Sequence, residues 1–284
     1  MTRFLRAAFV LGLAACAGPP GPGPATSELK FGYCGSIGDL AAAKAAGFDY
    51  VELPVRDIAR MSDEEFGRAV DAQEYVGLPT PVANNFLPAD LKIAGPAVDK
   101  ARQNGYLEKS LGRMSRLAVR IVVLGSGDAR RVPDGFPQAE AHAQLVEFGR
   151  RAAAAARRHG IVIAVEPLRK QETNIIHTAA EGLAWVKAVD HPNFQLMVDF
   201  YHLASEKEDP GILLTAKEHI RHFHMANPKG RVFPLDASEY DYAGFFANLR
   251  RMGFRGGMSV EAKPATTFAA EAPRTLAFLR GALR

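Results

Sequence analysis

Two apolar patterns alternate along the chain. Short unbroken runs rich in Val, Ile, Leu and Phe recur between longer stretches whose apolar positions are spaced by three and four. The first pattern suits a strand buried on both faces, the second a helix with one buried stripe. Runs at Leu29–Cys34, Tyr50–Leu53, Thr80–Asn84, Val119–Leu124, Ile161–Val165, Phe194–Val198, Ile220–Phe223 and Gly257–Val260 predict eight strands. Between them the spacing predicts helices over Asp39–Ala46, from Ser62 to about Gly77, over Pro96–Leu117 and Ala139–His159, from Thr178 onward, and over Tyr242–Met252 and Ala269–Leu283. Ser62-Asp63-Glu64-Glu65 reads as a capping box, and Gly47, Gly160 and Gly253 as helix stops. No hairpin turn signal joins two strands. The pattern predicts an α/β fold, a single (β/α)₈ TIM barrel with a parallel sheet.

Polar residues interrupt this pattern at the strand ends. V-I-A-V ends in Glu166, L-M-V in Asp199, I-R-H-F in His224 and G-M-S-V in Glu261. The intervals are 33, 25 and 37 residues, each about one strand–helix–strand unit. Desolvating an unpaired carboxylate is costly, so such residues need partners. Four strands that each deliver an oxygen or nitrogen ligand to one barrel face predict a single metal site. Three carboxylates and an imidazole form a hard set suited to one divalent ion, Mn²⁺, Mg²⁺ or Co²⁺, with Zn²⁺ admissible.

Other polar residues keep two readings. Alternation turns His222 and His224 to the same side, so either can supply the imidazole, and the other is then an interior polar residue. Glu52 ends its strand as the later carboxylates do, and either orients substrate or pairs with a neighbour. Asn84-Asn85 is a hydroxyl-binding pair or a turn. Gly125-Ser126-Gly127 is glycine-flanked like a phosphate cradle but lacks P-loop spacing. Cys34 and Trp185 read as core residues, and Arg150, Arg151, Arg157 and Arg158 as a solvated helix face.

V-E-P-L at 165–168, V-D-F-Y-H at 198–202, H-F-H-M-A-N at 222–227 and S-V-E-A-K at 259–263 resemble the xylose isomerase-like TIM barrels. The closest set is the sugar phosphate isomerase/epimerase group, which includes ketose 3-epimerases, hydroxypyruvate isomerases and inosose dehydratases. The resemblance runs from about residue 29 to the C-terminus, and its specific motifs lie between 160 and 263. It implies one divalent metal held by Glu166, Asp199, His224 and Glu261, with His224 rather than His222 as the imidazole. It implies catalysis by Glu166 and Glu261, substrate contacts from His202 and Arg231, and a further contact from Glu172. The loop from His224 to Arg231 is slightly longer than in the ketose epimerases.

The implied activity is metal-dependent isomerisation or epimerisation of a sugar or sugar derivative, through proton abstraction beside a carbonyl and an enediolate. A related lyase or dehydratase shares that first step. A nuclease of the endonuclease IV branch needs further histidines that the strands before residue 160 do not supply. A non-catalytic sugar-binding lipoprotein would keep the pocket alone.

The N-terminus changes the picture of location. Arg3 and Arg6 precede a short apolar stretch, Ala7 to Ala15, well under the ~20 residues of a spanning helix. Leu13-Ala14-Ala15-Cys16 resembles a bacterial lipobox, and A-G-P-P-G-P-G-P-A-T-S follows. This predicts a signal peptide over 1–15, a lipid on Cys16, a Pro/Gly-rich tether over 16–28 and the barrel over 29–284. The plainer alternative is an ordinary secretory signal. The lipid reading places the protein in the bacterial cell envelope, on the periplasmic side, touching membrane only through its anchor.

Formal charge is +4, and without Arg3 and Arg6 the count is 33 basic against 31 acidic residues. That balance argues against a nucleic-acid partner. Phosphorylated sugars are scarce outside the cytoplasm, which favours a free sugar, glycoside or cyclitol. With two cysteines in the chain and Cys16 lipidated, Cys34 has no disulfide partner.

Overall fold

The computed structural model describes residues 29–284, so the expected signal peptide, Cys16 and the expected tether lie outside the described residues. Eight parallel strands form the sheet: β1 Lys30–Cys34, β2 Tyr50–Pro54, β3 Val82–Asn84, β4 Ile121–Leu124, β5 Val162–Val165, β6 Phe194–Asp199, β7 Ile220–Met225 and β8 Gly257–Val260. Each pairs with its neighbour in sequence, and β8 pairs with β1, so the barrel closes.

The period of two along each strand sorts side chains between two environments. Outward residues such as Phe31, Val51, Leu53, Ile163, Val165, Leu196, Val198, Phe223 and Met258 pack with the helices in one large core. Inward residues Tyr50, Val82, Val123, Ala164 and Met197 form a second cluster inside the barrel. Two residues further along the same strands, the inward positions are Glu52, Asn84, Gly125, Glu166 and Asp199, with His224 and Glu261 from the closing strands. The apolar interior is thus a floor, and the polar residues form a layer above it at the C-terminal ends.

The outer helices bury one stripe each. Gln138–Arg158 turns Leu145, Phe148, Ala152 and Ala156 to the sheet, and each large side chain so buried contributes roughly 1.5–3 kcal/mol. The expected capping box is present: Ser62 Oγ accepts from the Glu65 N–H at 3.2 Å, and Glu65 accepts from the Ser62 N–H at 2.7 Å.

Several boundaries differ from expectation. The helix expected from Pro96 begins at Lys100, where the Asp99 carboxylate accepts from the Arg102 N–H at 3.0 Å. The third strand starts at Val82 and not Thr80, because Pro81 has no N–H and the Thr80 hydroxyl donates to the Leu117 carbonyl at 2.9 Å. The fourth starts at Ile121, and the N–H groups of Arg120 and Ile121 share the Pro81 carbonyl. Four short helices, Val55–Arg60, Gly127–Arg130, Phe200–Ser205 and Ile212–Ala216, were not foreseen. Among the described residues no helix is long and apolar enough to cross a membrane.

Candidate metal centre and active site

Glu166 and Glu261 each follow immediately after a strand, Asp199 ends β6, and His224 is the last residue but one of β7. One ligand atom from each of these four residues lies within 4.8 Å of the others. The His224 Nδ1 atom is 3.2 Å from Glu166 Oε1 and 3.3 Å from Glu261 Oε2. Asp199 divides its oxygens. Oδ1 accepts from the Tyr201 N–H at 2.7 Å and caps the helix Phe200–Ser205. Oδ2 is buried and has no hydrogen-bond partner among the described residues. A strand that ends in an N-capping aspartate therefore aims one free oxygen into the barrel mouth.

The electrostatics of this cluster call for a cation. Burial, then the charges of Glu261 and Glu166, push Asp199 up to about 7. Burial and Glu261 also raise Glu166. Glu261 is held down at about 2: burial opposes this, but His224 and Arg231 outweigh it. Burial lowers His224, yet Glu52, Cys34 and Glu261 lift it well above the ordinary histidine value. Three carboxylates and an imidazole that share one desolvated point fit a divalent ion, which would replace the protons these shifts imply.

The alternatives for His222 and Glu52 resolve together. Both histidines face inward, and Glu52, fully buried, lies between them at 2.8 Å from His222 Nε2 and 2.9 Å from His224 Nε2. His222 belongs to the layer beneath, beside Ser259 and Tyr50. Of the two readings of Glu52, pairing with a neighbour is the one seen.

His202, Arg231 and Glu172 converge above the cluster. His202 Nδ1 accepts from the Arg169 N–H at 3.3 Å. Burial pushes His202 down to about 3, so the ring is neutral and its proton sits on Nε2. That Nε2 has no hydrogen-bond partner among the described residues and faces Asp199, Glu172 and Glu166 at 3.6, 3.9 and 4.0 Å. Arg231 Nη2 is 2.6 Å from Glu261 Oε2, and its Nη1 is 3.5 Å from Glu172 Oε1. Its guanidinium also lies over the Tyr201 ring, 4.7 Å from the centroid. Arg231 adopts φ 52°, a left-handed value that a non-glycine residue holds only when its surroundings enforce it. Isolated bridges from Val232 to Asn227 and Lys263 supply that constraint.

Two adjoining pockets open over these residues, of about 170 and 650 Å³, with Asn84, Asn85, Arg231 and Glu261 in both walls. Asn84 Nδ2 is 3.4 Å from Glu261 Oε1, so the paired amides belong to the pocket wall, and Asn85 also turns the chain at φ 50°. Gly125 has a local reason: a Cβ there would sit 2.3 Å from Glu166 Oε2. The glycine makes room for the glutamate, while the Ser126 hydroxyl accepts from the Leu87 N–H at 2.9 Å.

Arg130 is fully buried and donates to the Glu166 carbonyl at 2.9 Å and the Ile176 carbonyl at 3.3 Å. It fixes the backbone that carries Glu166, and nothing in its local sequence signals burial. Cys34 is free and half-buried at the edge of the larger pocket, with Sγ 4.0 Å from His224 Nε2. Trp185 is buried on its helix, away from these pockets.

The family model described as xylose isomerase-like TIM barrel matches residues 40–281. An L-ribulose 3-epimerase of Methylomonas sp. is 27% identical over 228 residues, covering 78% of this chain and 76% of its own. A ketose 3-epimerase of Arthrobacter globiformis is 25% identical over 247 residues, covering 84% and 81%. Among solved structures, a D-psicose 3-epimerase of Clostridium cellulolyticum with D-tagatose superposes with a TM-score of 0.79 at 20% identity, covering 90% of this chain and 100% of that one. The last likeness concerns the fold.

Proposed function

The chain belongs to the xylose isomerase-like TIM barrel family, and from that premise we propose that it is a metal-dependent epimerase or isomerase of a free sugar, a keto-glycoside or a related cyclitol. The observation that carries this reading is the convergence of Glu166, Asp199, His224 and Glu261 on one buried point beneath a polar pocket. The 3-epimerase activity named for the Methylomonas and Arthrobacter relatives points the same way.

Glu166, Asp199, His224 and Glu261 would hold the ion. When bound, the metal supplies Lewis acidity that lowers the cost of negative charge developing on the substrate oxygens. The chain's own residues do the rest. One of Glu166 and Glu261 takes the proton from the carbon beside the carbonyl, and the other returns a proton to that carbon from the opposite face. His202 offers its Nε2–H to a substrate oxygen, the one donor its burial leaves open. Arg231 binds a second oxygen through its planar fork. Asn84 and Asn85 are placed to bind hydroxyls in the pocket wall.

The test is exchange in D₂O over a panel of free ketoses, keto-glycosides and inososes with Mn²⁺ added. Deuterium wash-in at the carbon beside the carbonyl, without loss of water, is the expected result. An unsaturated product would reassign the protein to the lyases that share the first step. No exchange of any of these compounds by the Mn²⁺-loaded protein would leave a binding protein.

A further inference from the structure

Glu52 is the most deeply enclosed carboxylate of the barrel, with no exposed surface. Each of its oxygens meets one imidazole: Oε2 is 2.8 Å from His222 Nε2, and Oε1 is 2.9 Å from His224 Nε2. An ionised carboxylate only accepts, so each Nε2 must carry a proton. A neutral His224 ring, the form a metal ligand takes, then has its lone pair on Nδ1, the atom that faces Glu166 and Glu261 at 3.2 and 3.3 Å. The His222 ring is itself braced from below. Ser259 Oγ is 3.2 Å from His222 Nε2, and the Tyr50 hydroxyl is 2.9 Å from Ser259 Oγ. Register accounts for this arrangement: Glu52 stands level with Cys34 on β1, one strand from β8, so it reaches across to β7 within the barrel.

We propose that Glu52 is a positioning residue for the metal centre, which fixes the His224 ring in the Nε2–H tautomer and aims Nδ1 at the ion. The proposal rests on the reading of His224 as a ligand. Metal-bound histidines commonly donate their other ring N–H to a carboxylate, and loss of such a partner typically weakens metal binding. The same geometry decides a competing use of these atoms. Cys34, Glu52 and His224 also present ligand atoms within 4.8 Å of one another. A second ion there would need the His224 Nε2 lone pair, which the Glu52 hydrogen bond takes away.

The test uses the full chain, stripped of metal and titrated calorimetrically with Mn²⁺. Wild type is expected to bind a single equivalent, and Glu52→Gln to bind about 10–100-fold more weakly while retaining its fold. The second measurement needs no variant: ¹⁵N spectra of Mg²⁺-loaded wild type should show His224 protonated on Nε2 and bare on Nδ1. Affinity in a folded Glu52→Gln variant within about twofold of wild type overturns the proposal. So does a proton on His224 Nδ1 in the loaded protein, or a second tight equivalent of metal. Should wild type bind no divalent ion at all, the functional reading itself fails, a result distinct from these.

Discussion

His202 Nε2 and Asp199 Oδ2 face each other across 3.6 Å, both buried and neither hydrogen-bonded among the described residues. The two residues sit three apart, Asp199 capping the helix on which His202 lies. The pair is held open by secondary structure, and the gap is where a ligand for one atom and a substrate oxygen for the other would enter. Asp199→Ala should therefore weaken Mn²⁺ binding by more than the roughly 10–100-fold typical of an outer partner, with little effect on the barrel. Metal content of the purified variant, read by atomic emission, checks this; wild-type stoichiometry would count against Asp199 as a ligand.

The crowded carboxylates set the pH response of the metal-free protein. Asp199 is raised to about 7 from an ordinary value of 3.8, and Glu166 is raised in the same direction. Their folded forms hold protons that the unfolded chain releases, so their contribution is complete at low pH and is lost as pH rises through the folded values. His202 and His222, lowered by burial, complete their opposite contribution by about pH 6.5, their unfolded value. The melting temperature of EDTA-treated protein should thus fall between about pH 6.5 and 8.5, and added Mn²⁺ should raise it most at the upper end. A metal-induced shift that shrinks with rising pH over this range would contradict the cluster.

Glu166→Gln and Glu261→Gln keep an oxygen for the metal but remove a base. Turnover on an identified substrate should drop about 10²–10⁴-fold in each. Each variant should block solvent exchange from one face of the reacting carbon more than from the other. Near-wild-type rates in both would sink the two-glutamate scheme.

Arg231 reaches Glu261 and Glu172 with different nitrogens and lies over the Tyr201 ring. Lysine offers a point charge in place of that fork, so Arg231→Lys should raise KM roughly tenfold with a smaller change in kcat. Steady-state kinetics separate the two; an unchanged KM would remove Arg231 from substrate binding.

We propose that Cys16 carries a lipid. Cys16→Ser should then move the protein out of the membrane fraction on cell fractionation. Retention in that fraction would rule out the lipobox.

Much of the architecture could be read in the chain because the information was local. Apolar runs that close on Glu166, Asp199, His224 and Glu261 encode both a buried strand and the face at which it ends. Arg231, which the family motifs named for substrate contact, lies 2.6 Å from Glu261 and 3.5 Å from Glu172. What stayed hidden depends on neighbours distant in sequence. Glu52 and His222 lie 170 residues apart, and only strand register brings them within 2.8 Å. Arg130 owes its burial to the carbonyls of Glu166 and Ile176, 36 and 46 residues on. The short helix Phe200–Ser205 is only six residues long, below what periodicity can mark, although its cap, Asp199, was visible for another reason.

Strand β1 runs from Lys30 at one pole of the barrel to Cys34 at the rim of the larger pocket at the other. The chain therefore enters the domain at the end opposite its mouth. With a lipid on Cys16, the 13 steps to Leu29 form a leash of at most about 45 Å. Such a mooring would be attached at the base of the barrel and would leave the mouth clear of the tether. Cutting the leash would then change where the protein resides without changing how it turns over.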